Sequence, residues 1–126
     1  MFSVEHAALA AKDTRALAQW YERVLGFKIV YESQKVPPVF FVQDKNGMAL
    51  EIVPHTGEGT IADAHANHLA LWVDDFEKAS KELKAKGVAL EPELKNEFFG
   101  GTRIAFFNDC EGHRVQIIWR KRRVGE

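Results

Sequence analysis

Cysteine is nearly absent from this 126-residue chain: Cys110 stands alone, which excludes an intrachain disulfide. Net charge is nearly absent too, with 17 basic against 18 acidic side chains and a balance of −1 at neutral pH. Such a balance gives no electrostatic argument for nucleic acid or an anionic membrane as a partner. No apolar run approaches the roughly 20 residues that cross a bilayer as a helix. The opening residues, Met1-Phe2-Ser3-Val4-Glu5-His6, lack the basic-then-apolar plan of a secretory leader. Together these absences point to a cytoplasmic protein. The one basic run, Arg120-Lys121-Arg122-Arg123, reads as a solvated terminal tail.

What is present suffices for a core. The chain is 46% hydrophobic and 28% charged, and its length is that of one ordinary domain. It is also written twice. The segment Phe41 to Val53, FVQDKNGMALEIV, aligns without a gap on Phe106 to Ile118, FFNDCEGHRVQII. Asp44 meets Asp109, Gly47 meets Gly112, and Glu51 meets Gln116. Asp first and Gly fourth is the pattern of a type I turn, so each copy predicts a β-hairpin. Upstream, His6 opens HAALAAKDTRALAQWYERVLGF and His68 opens HLALWVDDFEKASKELKAKGV. Each reads as a short strand and then a helix, started at Asp13-Thr14 or Asp74-Asp75 and closed at Gly26 or Gly87. Strands near Lys28–Tyr31 and Ala89–Glu91 are expected before the hairpins. The organisation predicted is one domain of two βαβββ modules. The first covers about 3–54 and the second about 66–119, with a linker at about 55–65 and a basic tail at 120–126.

The repeat places four polar residues at matching positions within apolar strands: His6 with His68, and Glu51 with Gln116. Strand side chains alternate between faces, so Leu50 and Ile52 around Glu51, and Val115 and Ile117 around Gln116, point the opposite way. Taken singly, each polar residue has a structural explanation, such as a hydrogen-bonded core histidine or a solvent-facing carboxylate. Taken together, two imidazoles, a carboxylate and an amide oxygen make a divalent-metal set. By hairpin parity with an even-length loop, Phe40 and Val42 are expected beside Glu51, and Ala105 and Phe107 beside Gln116. Trp72 has the parity of His68. Phe98-Phe99-Gly100-Gly101 reads as an aromatic flap or a packed loop, and Phe99 joins the expected cleft wall. His55, His65 and His113 are expected in solvent.

This paired module resembles the vicinal oxygen chelate superfamily, which includes glyoxalase I, methylmalonyl-CoA epimerase, fosfomycin-resistance transferases, extradiol dioxygenases and bleomycin-binding proteins. The echoes are WYERVLGFKI, HLALWVDD and FFGGTRIAFFNDCEGHRVQ. The resemblance implies an α+β fold, a curved mixed sheet around a cleft, a homodimer, and a divalent ion (Ni, Zn, Co, Mn or Fe) on His6, Glu51, His68 and Gln116. It implies a lyase or isomerase for a small substrate chelating through neighbouring oxygens, with Glu51 as the base, or a non-catalytic drug-binding protein. The position of Gln116 most often holds glutamate in the superfamily, which argues against the dioxygenase and fosfomycin groups and leaves the glyoxalase and epimerase subgroup closest. Bacterial glyoxalase I enzymes carry an arginine where this chain has Ala10 and an asparagine where it has His55, so glutathione is not the expected substrate.

Overall fold

The computed structural model describes residues 1–55 and 67–126. The expected linker, and His65 with it, therefore lies outside the described residues apart from His55. Chain contacts divide the protein into two compact units. The first is Met1–Ile61 with Asp109–His113, and the second is Ala62–Asn108 with Arg114–Glu126. The hairpin turn of the second repeat thus belongs to the first unit.

In the first unit β1 (His6–Ala11) leads to α1 (Thr14–Leu25), then β2 (Lys28–Glu32), β3 (Phe40–Gln43) and β4 (Ala49–Pro54). The sheet order is β1-β4-β3-β2, with β1 parallel to β4 and the other pairs antiparallel. Helix α1 starts where the sequence predicts: the Asp13 carboxylate accepts from the Ala16 amide at 2.9 Å. It ends at Gly26, whose φ of 73° suits a residue without Cβ. Its apolar stripe, Leu17, Ala18, Tyr21 and Val24, is buried. The sheet meets that stripe with Phe40, Val42, Leu50 and Ile52, all at most 2% exposed.

The second unit repeats the plan with β5 (Leu69–Trp72), α2 (Phe76–Ala85), β6 (Leu94–Asn96), a 3-10 turn (Phe98–Gly100), β7 (Thr102–Asn108) and β8 (Arg114–Arg120). Its order is β5-β8-β7-β6, with β5 parallel to β8. Asp75 caps α2 through the Lys78 amide at 3.0 Å, and Gly87 follows the helix with φ 84°. The strand expected at Ala89–Glu91 is corrected to β6, further along. Pro92 has no N–H for a ladder and interrupts the segment, while the Glu91 amide donates to the Phe106 carbonyl at 2.8 Å.

Both hairpin turns match the repeat atom for atom. The Asp44 carboxylate accepts from the Asn46 and Met48 amides, and Gly47 donates back to the Asp44 carbonyl. Asp109 does the same with Glu111, His113 and Gly112. Gly47 and Gly112 have φ of 90° and 92°, and each is followed by one further residue before the strand. Five residues therefore separate the paired Gln43 and Ala49, and five separate Asn108 and Arg114. An odd loop reverses the expected parity. Phe41 pairs with Glu51, and Phe106 with Gln116. Phe40, Val42, Ala105 and Phe107 face the helix side instead, at 1%, 0%, 3% and 1% exposure, and are core rather than cleft residues.

Candidate metal centre

On the first unit's open face the structure brings His6 and Glu51 together. His6 is the first residue of β1 and Glu51 the third of β4, and the parallel pairing of the two strands sets them on one side. His6 Nε2 lies 3.6 Å from Glu51 Oε1. That is too long for a hydrogen bond and close enough for both atoms to meet one cation. The other ring nitrogen, Nδ1, is 2.8 Å from Glu5 Oε1. A carboxylate on Nδ1 favours the tautomer in which Nε2 keeps its lone pair, the arrangement found behind metal-ligating histidines. The Phe41 ring stands edge-on to the imidazole, with centroids 5.4 Å apart. Tyr31, half exposed, packs against Phe41 in turn.

In the second unit Gln116 lies in mid-β8, only 4% exposed. It pairs with Ala70 on one side and Phe106 on the other. His68, just before β5, repeats the His6 geometry: its ring stands edge-on to Phe106 at 5.7 Å, as His6 does to Phe41. Among the described residues Arg114 Nε is the buried side-chain nitrogen or oxygen that lacks a partner, and the Gln116 amide atoms are not of that kind. Each unit thus presents one imidazole and one side-chain oxygen, in equivalent places. Among the described residues no group of three or more His, Cys, Asp or Glu side chains is placed to hold a metal ion.

Trp72 and Phe99, the other expected wall residues, each lie under a guanidinium: Arg123 over Trp72 at 4.5 Å, Arg120 over Phe99 at 4.6 Å. Residues 121–126 are exposed, as expected of the tail, while the Arg120 and Arg123 guanidinium groups also rest over aromatic rings. Two rings that line the polar face, Phe41 and Phe106, escape the sequence reading. Only the length of the loop after each Asp-x-x-Gly turn could have revealed them.

His113, expected in solvent, is the largest departure. Its side chain is 10% exposed and its Nδ1 lies 2.7 Å from Asp109 Oδ2. Nε2 lies 2.8 Å from the Ala10 carbonyl oxygen. The Asp109 side chain is fully buried, and it also accepts from the Tyr21 hydroxyl at 2.9 Å. A carbonyl and a carboxylate both accept, so the imidazole donates from both nitrogens and carries a proton on each. Burial alone pushes the His113 pKa down, but the hydrogen bond and charge of Asp109, with the Ala10 carbonyl, raise it above the usual histidine value. Burial, then the Asp109 charge, raises Tyr21 well above the usual phenol range. His55 is half-buried rather than in solvent.

Residues 3–117 match the family described as Glyoxalase/Bleomycin resistance protein/Dioxygenase superfamily. The chain is similar to a probable lactoylglutathione lyase of Vibrio cholerae, 23% identical, over 92% of this chain and 89% of that one. It is 26% identical to a lactoylglutathione lyase of Haemophilus influenzae, over 92% and 91% respectively. Among solved structures it shares its fold with a glyoxalase family protein of Enterococcus faecalis, with TM-score 0.77, 22% identity and coverage of 93% and 97%. It shares it also with the fosfomycin resistance protein FosX of Listeria monocytogenes complexed with Mn(II) and sulfate, with TM-score 0.75, 20% identity and coverage of 96% and 92%.

Proposed function

The chain belongs to the glyoxalase/bleomycin resistance protein/dioxygenase superfamily, and from that premise we propose a divalent-metal-dependent lyase or isomerase whose small substrate chelates through neighbouring oxygens. The observation that carries the reading is the His6–Glu51 pair, two acceptor atoms 3.6 Å apart with Glu5 behind the imidazole. His6, Glu51, His68 and Gln116 are the residues that would hold the ion. When bound, the ion polarises the substrate oxygens and acidifies the adjacent C–H.

The protein's own part in the chemistry falls to Glu51. Its carboxylate is about a quarter exposed, which leaves it accessible to a substrate proton. It is the only proposed ligand able to take one at oxygen, and it serves as general base. Gln116 accepts no proton, so a reaction needing one base is favoured over one needing a base on each substrate face. Two neutral imidazoles, one carboxylate and one amide carry −1 in total, so the set neutralises less of the ion's charge than two carboxylates would. The ion then acts as a stronger Lewis acid and is held less tightly.

Two relatives are named for lactoylglutathione, yet we propose a different substrate for this chain. Ala10 has only a methyl group where an arginine would hold a glutathione carboxylate, and its carbonyl is occupied by His113. A second reading, a non-catalytic binding protein, is favoured by the absence of three convergent His, Cys, Asp or Glu side chains among the described residues. Elemental analysis of the protein as purified separates the two. The enzyme reading expects a stoichiometric divalent ion, and Glu51→Ala lowers the content at equal total metal by at least about tenfold in affinity. Metal content unchanged by Glu51→Ala contradicts the assignment.

A further inference from the structure

The tail of β8 supplies an observation that the metal reading does not use. Arg15, Arg103 and Arg114 each hold a carboxylate: Glu32, Glu77 with Glu93, and Glu91. Among the described residues Arg120, Lys121, Arg122 and Arg123 hold none. Four neighbouring cations without carboxylates repel one another, and a solvated tail would relieve this by spreading. Here the backbone keeps them in place. Lys121 donates its amide to the Gly101 carbonyl at 2.9 Å, and Arg122 donates to Phe99 at 3.0 Å.

The loop that receives them is strained. Phe99 has φ 54°, a left-handed conformation that is uncommon for a bulky side chain. Thr102 fixes the arrangement: its hydroxyl donates to the Phe98 carbonyl at 2.8 Å and accepts from Arg120 Nη1 at 2.9 Å. The Arg120 guanidinium lies over Phe99, and that of Arg123 over Trp72. Arg122 Nη1 comes so near Gly100 that a Cβ there would sit 3.0 Å from it. Trp72 pairs with Ile118 and Thr102 with Arg120, so both rings flank one end of the same strand. Asp74 accepts from the Trp72 indole and Glu126 from the Arg123 amide.

We propose that Arg120, Arg122 and Arg123 form an anion site in the second unit, taking the carboxylate or phosphate group of a small molecule. The ring contacts hold the Arg120 and Arg123 guanidinium groups in place, and apart from Arg120 Nη1, which donates to Thr102, their N–H groups remain for charge-assisted contact with an anion. A small molecule fits better than a nucleic acid, because single-stranded bases need free ring faces and here each ring has one face covered by arginine. The net charge of −1 also offers no long-range attraction for a polyanion.

All these residues lie in one unit, so the proposal stands apart from the metal assignment, and it is tested on metal-free full-length protein. Succinate and inorganic phosphate are titrated separately while the Trp72 indole N–H and arginine Nε–H signals are followed by NMR. Saturable shifts with either anion are expected, and the more effective one tells carboxylate from phosphate. The Arg120→Gln/Arg123→Gln protein should bind at least about tenfold more weakly, in line with loss of charge-assisted bonds. Arg120→Lys, which keeps charge but not the planar fork, should also weaken binding. Three results overturn the proposal: no saturable shift with either anion, equal binding by the double variant, or binding of a single-stranded oligonucleotide alone.

Discussion

At the scale of single residues, His113 makes the sharpest demand on its surroundings. Its two ring nitrogens face Asp109 and the Ala10 carbonyl, and Tyr21 completes the shell around the carboxylate. Glu111, in the same turn, uses its carboxylate to accept from the Lys12 and Asp13 amides at the start of α1. The folded protein holds the His113 proton more tightly than the unfolded chain does. That contribution is complete below the ordinary histidine pKa, about 6.5, and is lost as pH rises through the elevated folded value. Urea midpoints should therefore fall through this window in the native protein, and the step should be missing in His113→Gln. The substitution should itself cost about 3 kcal/mol near pH 6, since it leaves the buried Asp109 charge unmatched. A native-like pH step in His113→Gln would contradict the assignment. Nothing in the sequence around His113 announces this burial: the residue sits in a turn beside Gly112, its partner Ala10 lies about one hundred positions away, and Tyr21, which holds Asp109, lies about ninety positions from that carboxylate.

At the scale of elements, local signals and pairing signals differ in how well they can be read. Capping aspartates, closing glycines and apolar spacing set both helices to within a residue, because those signals act over one turn of chain. Hairpin register depends on one residue after each turn glycine, and a single residue exchanges the two faces of a strand. The two faces give a direct comparison. Phe40→Ala, in the core under α1, should lose about 3–5 kcal/mol of stability. Phe41→Ala, on the face of His6 and Glu51, should lose clearly less and act instead on metal or substrate binding. Equal denaturation midpoints for the two proteins would contradict this division of the strand.

At the scale of the whole molecule, the duplicated sequence is the main source of legibility. It predicts two equivalent strand–helix–strands units, and the structure has two sheets of the same order and pairing. It also marks His6, Glu51, His68 and Gln116 as equivalents, and the structure gives both histidines the same edge-on phenylalanine. Membership of the 109–113 turn in the first unit was not legible, because it depends on contacts distant in sequence. No helix among the described residues is long and apolar enough to cross a membrane. The central claim is that the four repeat-related residues serve one divalent ion. Its most direct test is a competition titration of Mn(II) or Zn(II) against a chromophoric chelator, run at one pH on the native protein, Gln116→Glu and Gln116→Leu. The account predicts one ion per chain. Affinity should be raised by Gln116→Glu, which adds a second anionic ligand, and lowered by Gln116→Leu with the fold retained, each by about tenfold or more. Equal affinity in all three proteins would contradict it.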